Sequence, residues 1–267
     1  MKLSIITINR NNASGLKKTI ESVVTQSCTD FEYIVIDGAS TDESVDIIKS
    51  NSDKISYWVS EPDTGIYNAM NKGVLASHGE YTLMLNSGDY LVDCEVINVM
   101  LPHLYGVDII QGNTISQNEG NIERQKGYGK SNITFIDVMR GHFLHQASFC
   151  RKELFETYGL FDETYKINGD TVFFAKCLAF GNATFKYLDI DISYFDITGI
   201  SSDPNGKWID IRKREDERYV NMFSVRMWDL CITENKKIEL YNNLRAHKWS
   251  WGITMLIIRV CNFIYSK

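Results

Sequence analysis

The chain has 267 residues, 44% of them apolar, enough to bury a full core in one large domain with a smaller appendage, and it carries a net charge of −6. Residues 1–206 hold 16 Lys and Arg against 27 Asp and Glu, whereas residues 207–267 hold 12 against 7, an acidic body with a basic tail. That balance, without an aromatic-basic groove pattern in the tail, argues against nucleic acid as a partner, and six scattered cysteines with no CxxC spacing argue against a disulfide framework or thiolate metal site.

Residues 3–8 (LSIITI) form a short β-branched run suited to a buried parallel strand. The run lacks the h-region and cleavage site of a secretory leader, so it reads as a core strand of a cytoplasmic protein with reduced, buried thiols. Ser14 is placed to cap a helix to about Gln26, with Leu16, Ile20, Val23 and Val24 on one face. FEYIVID (31–37) repeats the strand signal, and a helix is expected from Asp42 to about Ser50. Residues 55–60 read as a third strand, 66–76 as a third helix and 81–86 as a fourth strand. Further on, residues 108–113 are strand-like and 115–127 suggest a hairpin turning at NEGN. Residues 145–150 (HQASFC) are strand-like, 171–180 helical, and 185–197 one or two strands.

Alternating strand and helix predicts an α/β fold, a Rossmann-like, mostly parallel central sheet flanked by helices. Ligands collect at the carboxyl ends of such strands. The polar clusters 7–12, 37–42, 61–65 and 86–89 all fall at those ends, so they should converge. Asp37 follows a buried strand and precedes Gly38, which permits a sharp turn that projects a carboxylate able to accept from a ribose or a base N–H. Asp42 is better placed than Asp37 to cap the next helix. The Asp63-Thr64-Gly65 turn leads into a helix whose N-terminus can face a phosphate, though capping alone also explains it. Asn86-Ser87-Gly88-Asp89 ends an apolar strand, where an exposed carboxylate suits a hard divalent cation held mainly by substrate phosphates.

Four ordered segments, SIITINRNN, VIDGASTD, SEPDTGIYNAMNKG and LNSGD, together resemble family 2 of the glycosyltransferases, inverting enzymes with the GT-A nucleotide-sugar fold. The resemblance covers roughly residues 2–202 and implies a donor half at about 1–113 and an acceptor half at about 114–205 within one transferase domain, 1–205. It implies that Thr7, Asn9 and Asp37 hold the nucleoside, that Asp63 lies close to the donor, and that the following helix brings Asn71 and Lys72 to it. In place of the family's DxD the chain has Asn86, Gly88 and Asp89, leaving Asp89 as the acid for a divalent cation, Mn2+ or Mg2+, beside Gly88.

An inverting transfer needs a base to take the acceptor hydroxyl's proton. The resemblance places it in YKINGDTVFFAKCL, at Asp170, a position that also describes an ordinary N-cap. His145 and Gln146 resemble the family's acceptor-side HQ pair, with a purely structural histidine as the alternative. The loop 199–202 resembles one that closes over the diphosphate, and equally an ordinary exposed loop. The implied partners are a nucleotide-sugar donor, with UDP as the nucleotide, and a saccharide or lipid-linked saccharide acceptor.

Residues 206–267 form a basic, helical tail. Its apolar run from Trp249 to Ile258 is about half the ~20 residues of a spanning helix. With Arg245, Lys248, Gly252, Arg259, Asn262 and Ser266 on one stripe it resembles an interfacial helix at the inner membrane surface, or else a helix packed on the body or on a second copy as a homodimer contact. Among rival functions, a dinucleotide-dependent oxidoreductase would need GxGxxG after the first strand, and a nucleotidyltransferase a glycine-rich basic loop; INRNNASG supplies neither. A non-catalytic nucleotide-sugar binder is the alternative that the missing DxD acids leave open.

Overall fold

The run LSIITIN forms β1 (Leu3–Asn9), and all seven residues are buried, as a β-branched strand covered on both faces must be. The computed structural model describes residues 1–118, 121–141, 143–197, 199, 208–223, 236 and 239. In it β1 pairs in parallel with β2 (Phe31–Asp37) and β4 (Tyr81–Met84), and β2 pairs in parallel with β3 (Tyr57–Ser60). The crossovers are α1 (Ala13–Val24), α2 (Ser44–Ser50) and α3 (Ile66–Ala76). Leu16, Ile20 and Val23 recur at helical spacing on α1 and join Leu3, Ile5, Tyr33 and Leu83 in the core. Each such aliphatic side chain contributes about 1.5–3 kcal/mol by leaving water.

Beyond β4 the direction reverses. β8 (Ser148–Arg151) runs antiparallel to both β4 and β6 (Ile109–Asn118). β6 also pairs with the hairpin strand β7 (Asn121–Gln125) and, in parallel, with β9 (Phe185–Phe195), which meets the two-residue β5 (Tyr90–Leu91). The strand order is β3-β2-β1-β4-β8-β6-β9-β5, with β7 on β6. Short helices α4 (Val96–Met100), α5 (Phe135–Arg140), α6 (Glu153–Tyr158) and α7 (Gly169–Ala175) fill the second half, and α8 (Ile209–Met222) follows.

Several local expectations are corrected. Asn12, not Ser14, caps α1, its Oδ1 accepting from Gly15 N at 3.1 Å. Asp42 sits outside α2, where it accepts from the backbone N–H of Ser44 and of Ala13. His145–Ala147 is a 3₁₀ turn rather than strand, closed by Ala147 N and Ser148 Oγ donating to Leu144 O, and β8 begins only at Ser148. The helix expected at 171–180 starts at Gly169 and ends in π-type turns over Lys176–Phe180. The chain divides into two compact units, residues 1–217 and 218–267, so the first unit extends past residue 205. The expected tail helix, with its stripe from Arg245 to Ser266 and its apolar run at 249–258, and the residues Ile200–Ser202 lie outside the described residues.

Candidate active site

Parallel pairing sets the ends of β1 and β2 side by side, with Asn9 opposite Asp37. Asp37 has no exposed surface. Its Oδ1 accepts from Asn9 Nδ2 (2.8 Å) and Ser40 Oγ (2.6 Å), its Oδ2 from Ser40 N (2.9 Å) and Ser60 Oγ (2.6 Å). Burial pushes this carboxyl's pKa up, but the hydrogen bonds from Ser40, Ser60 and Asn9 outweigh it and hold the group below the usual carboxylate range. Asp37 thus ties the ends of three strands together as an anion. Thr7, two residues earlier than Asn9, lies in the core and accepts from Tyr33 Oη at 3.0 Å. Asn9 Oδ1 is buried and, among the described residues, has no hydrogen-bond partner.

The next strand end reaches the same place. A side chain on Gly38 would collide with Asp63 Oδ2, so the glycine makes room for that carboxylate over β2. Asp63 Oδ1 accepts from Gly65 N (3.0 Å) and faces Arg10 Nη1 at 3.6 Å. Lys72 turns back to the same loop, donating to Pro62 O (3.0 Å) and pairing with Glu61 (2.7 Å). Asn71 is instead buried as a clamp: Nδ2 donates to Phe161 O and Glu163 Oε1, both at 2.9 Å, while Oδ1 accepts from Phe161 N.

On the far side of β1, residues 86–89 leave β4. Gly88 takes φ +108°, donates its N–H to Thr19 Oγ1 on α1, and stands where any side chain would meet the Asp196 carboxylate. The carboxylate expected to be exposed here is buried instead: Asp89 is 4% exposed, and its Oδ1 accepts from Asp196 N at 2.8 Å. Burial raises its pKa to about 7, tempered by the charge of His145 and the Asp196 N–H. His145 Nδ1 lies 2.9 Å from Asp170 Oδ2 and Nε2 3.2 Å from Asn86 Nδ2. Burial disfavours a charged imidazole there, yet the bond to Asp170 and the charges of Asp170 and Asp89 raise its pKa overall. Gln146 is buried in the adjoining turn.

Asp170 is the second residue of α7, and Asn168 occupies the N-cap position. The carboxylate turns to His145 and, through Oδ1, accepts from Tyr67 Oη at 3.1 Å; that hydroxyl also faces Ile167 O. Burial would raise the Asp170 pKa, but the hydrogen bond and charge of His145 reverse it and hold the group below its ordinary value. With His145, the Thr171 N–H and Tyr67 bonded to it, the carboxylate keeps a lone pair for a hydroxyl proton.

These contacts close a circuit. Asp37 holds Asn9; past β1, Asn12 Nδ2 donates to Ser87 O (3.1 Å); Asn86 meets His145, His145 meets Asp170, Asp170 meets Tyr67 at the start of α3, and Asp63 just before α3 returns to Gly38. Asp37, Asp63, Asp170 and the turn that carries Asp89 are thus joined through one network of contacts at the carboxyl ends of the parallel strands.

Residues 4–174 match the family described as Glycosyl transferase family 2. The chain belongs to that family. It is accordingly a glycosyltransferase, and its mostly parallel α/β sheet is the GT-A fold. An uncharacterized glycosyltransferase of Mycobacterium tuberculosis is 28% identical over 259 residues, covering 90% of this chain and 93% of its own. The Campylobacter jejuni GalNAc(5)-diNAcBac-PP-undecaprenol beta-1,3-glucosyltransferase is 28% identical over 173 residues, 61% of this chain and 56% of the relative. Among solved structures, S. aureus TarS 1-349 in complex with UDP superposes with a TM-score of 0.63 at 20% identity, over 73% of this chain and 60% of TarS, a likeness of fold.

Within this family member, sequence reasoning passed over Arg10, Ser40, Ser60, Tyr67 and Asp196. Arg10, Ser40, Ser60 and Tyr67 stand inside the quoted segments SIITINRNN, VIDGASTD and SEPDTGIYNAMNKG, the available signal for them; Asp196 is joined to the site only by the fold. Among the described residues no group of three or more His, Cys, Asp or Glu gathers as a ready metal cage. The donors are of the type an oxygen-loving cation takes: the Asp89 carboxylate and the Asn86 Oδ1, buried and without a hydrogen-bond partner among the described residues, belong to the same turn, with remaining positions left to substrate oxygens. No helix among the described residues is long and apolar enough to cross a membrane.

Proposed function

We propose that this enzyme inverts the anomeric centre of a nucleotide diphosphate sugar, a UDP-sugar, while transferring it to a saccharide or lipid-linked saccharide. The observation that carries the reading is the Asp170–His145–Asn86 connection, which brings the base of the acceptor half against the strand end of the donor half.

Asp170 accepts the acceptor hydroxyl's proton as that oxygen bonds to the anomeric carbon and the bond to the diphosphate breaks on the opposite face. A carboxylate held below its ordinary pKa is ionised and ready at neutral pH, and cleavage of the leaving group acidifies the incoming hydroxyl. His145 and Tyr67 fix the carboxylate's orientation. Asp89, with Asn86, would hold Mn2+ or Mg2+, which neutralises charge developing on the departing diphosphate. Arg10 and Lys72 supply positive charge near the Asp63 loop. Asn9 and Asp37 shape the nucleoside end, Asn9 Oδ1 being the acceptor open to a base or ribose donor.

The UDP bound to TarS and the undecaprenol-linked substrate in the Campylobacter relative's name support the donor and acceptor classes. A lipid-linked acceptor would place the enzyme at the inner face of the membrane, with the basic tail as contact to lipid or to a second copy. The test is to incubate the protein with labelled nucleotide sugars and Mn2+, without acceptor, and measure release of the nucleoside diphosphate. Slow hydrolysis of one donor that EDTA stops is the expected result; nucleotide-sugar binding with no turnover of any donor would reduce the protein to a binder.

A further inference from the structure

The stretch just ahead of Asp170 is held from an unexpected quarter. Glu215, on α8, is 4% exposed, and its carboxylate accepts from three consecutive backbone amides: Lys166 N (2.6 Å), Ile167 N (2.9 Å) and Asn168 N (2.9 Å). Its neighbour Asp216 accepts from Asn168 Nδ2 at 2.7 Å, so the side chain at the N-cap position of α7 points to α8 instead of capping its own helix. All of these residues belong to the first compact unit.

The clasped segment touches the site at Lys166 and Ile167 and leads into it after Asn168. Lys166 Nζ donates to Thr64 O (2.9 Å) in the turn beside Asp63; Ile167 O faces Tyr67 Oη; and Asp170, two residues after Asn168, shares that tyrosine and His145. A buried carboxylate with three charge-assisted bonds holds a backbone more firmly than neutral contacts would. Without it, three adjacent amides would lose their acceptor, and the loop would have to turn to find water.

We propose that Glu215 is the positioning residue for Asp170, setting from α8 the backbone that aims the base at the acceptor hydroxyl. The proposal rests on the reading of Asp170 as that base, and predicts that loss of the clasp lowers the chemical step while donor binding, built from β1 to β4, persists.

Glu215→Ala, Glu215→Gln and Asp170→Asn in the full chain test it, read by kcat, donor KM, UDP affinity and hydrogen exchange of the 166–168 amides. Glu215→Ala should lower kcat on the order of 10²-fold, the effect of misplacing a catalytic group by about 1 Å. Donor KM and UDP affinity should stay within about twofold, and the three amides should exchange faster. Glu215→Gln, which keeps one accepting oxygen, should restore part of the loss. The proposal is overturned if both Glu215 variants keep kcat within about twofold, or if UDP affinity falls in step with kcat, which marks a general structural role. If Glu215→Ala fails to fold, the isosteric Gln variant decides by the same criteria. Near-normal turnover of Asp170→Asn sinks the base assignment itself, whereas an inactive Asp170→Asn beside Glu215→Ala and Glu215→Gln variants that both stay fully active sinks only the role of Glu215.

Discussion

The imidazole of His145 works between two carboxylates that its surroundings push in opposite directions. Asp170 is held ionised, while Asp89, deeper and with fewer donors, is raised to about 7. Replacing Asp170 with Asn removes the proton acceptor and keeps the shape, so transfer should fall about 10²–10⁴-fold with UDP affinity retained, as steady-state rates and calorimetry would report. For Asp89 the consequence is one of stability. Its folded pKa exceeds the unfolded one, so between about 4 and 7 the folded state binds more protons, and stability declines as pH rises through that window. Metal-free Asp89→Asn protein should therefore melt above the native chain at pH 8 and lose most of that advantage by about pH 4. The shift from 3.8 to about 7 bounds the gain at about 4 kcal/mol. A parallel fall in Mn2+ affinity should accompany the gain; a variant that melts lower at pH 8 would show that Asp89 is not carrying an uncompensated buried charge.

Elements were legible where one period dominates the sequence. Helix α3 runs over the expected residues, 66–76, because Asp63-Thr64-Gly65 ends the preceding segment and the apolar spacing is helical throughout. The two-residue β5 and the six-residue α5 and α6 are too short to show a period, and the 3₁₀ turn at His145–Ala147 is set by Leu144 O, which no propensity reveals. Asn71 illustrates the same limit within a motif. Its place in SEPDTGIYNAMNKG points to the donor, but its amide grips Phe161 and Glu163 and so fastens α3 to the segment between α6 and α7. Asn71→Ala should cost about 2 kcal/mol or more, since it leaves Phe161 backbone groups unpaired in a buried place, and thermal melts should show that loss with UDP affinity little changed. Gly88→Ala tests the neighbouring turn: an added methyl meets Asp196 at a φ of +108°, so about 1–3 kcal/mol of strain should appear together with weaker Mn2+ binding.

At the level of the whole molecule, the carboxyl-end rule predicted the meeting of four polar clusters from strand order alone, and the chain obeys it. What pattern could not supply was the partner of each carboxylate: Asp37 saturated by Ser40, Ser60 and Asn9, Asp170 paired with His145, Asp196 filling the space above Gly88. Those pairings join residues separated by up to 108 positions, and only a folded sheet brings them together. In the proposed reading, a chain with NSGD in place of a DxD would hold a cation through the Asn86 Oδ1 and the Asp89 carboxylate of that one turn. A crystal structure with UDP and Mn2+ tests this arrangement most directly. The cation and diphosphate should sit against Asp89 and Asn86 with the uridine over the ends of β1 and β2, and Asp170 should face the vacant anomeric side. A nucleotide bound away from these strand ends, or an Asp170 turned from the diphosphate, would contradict the account.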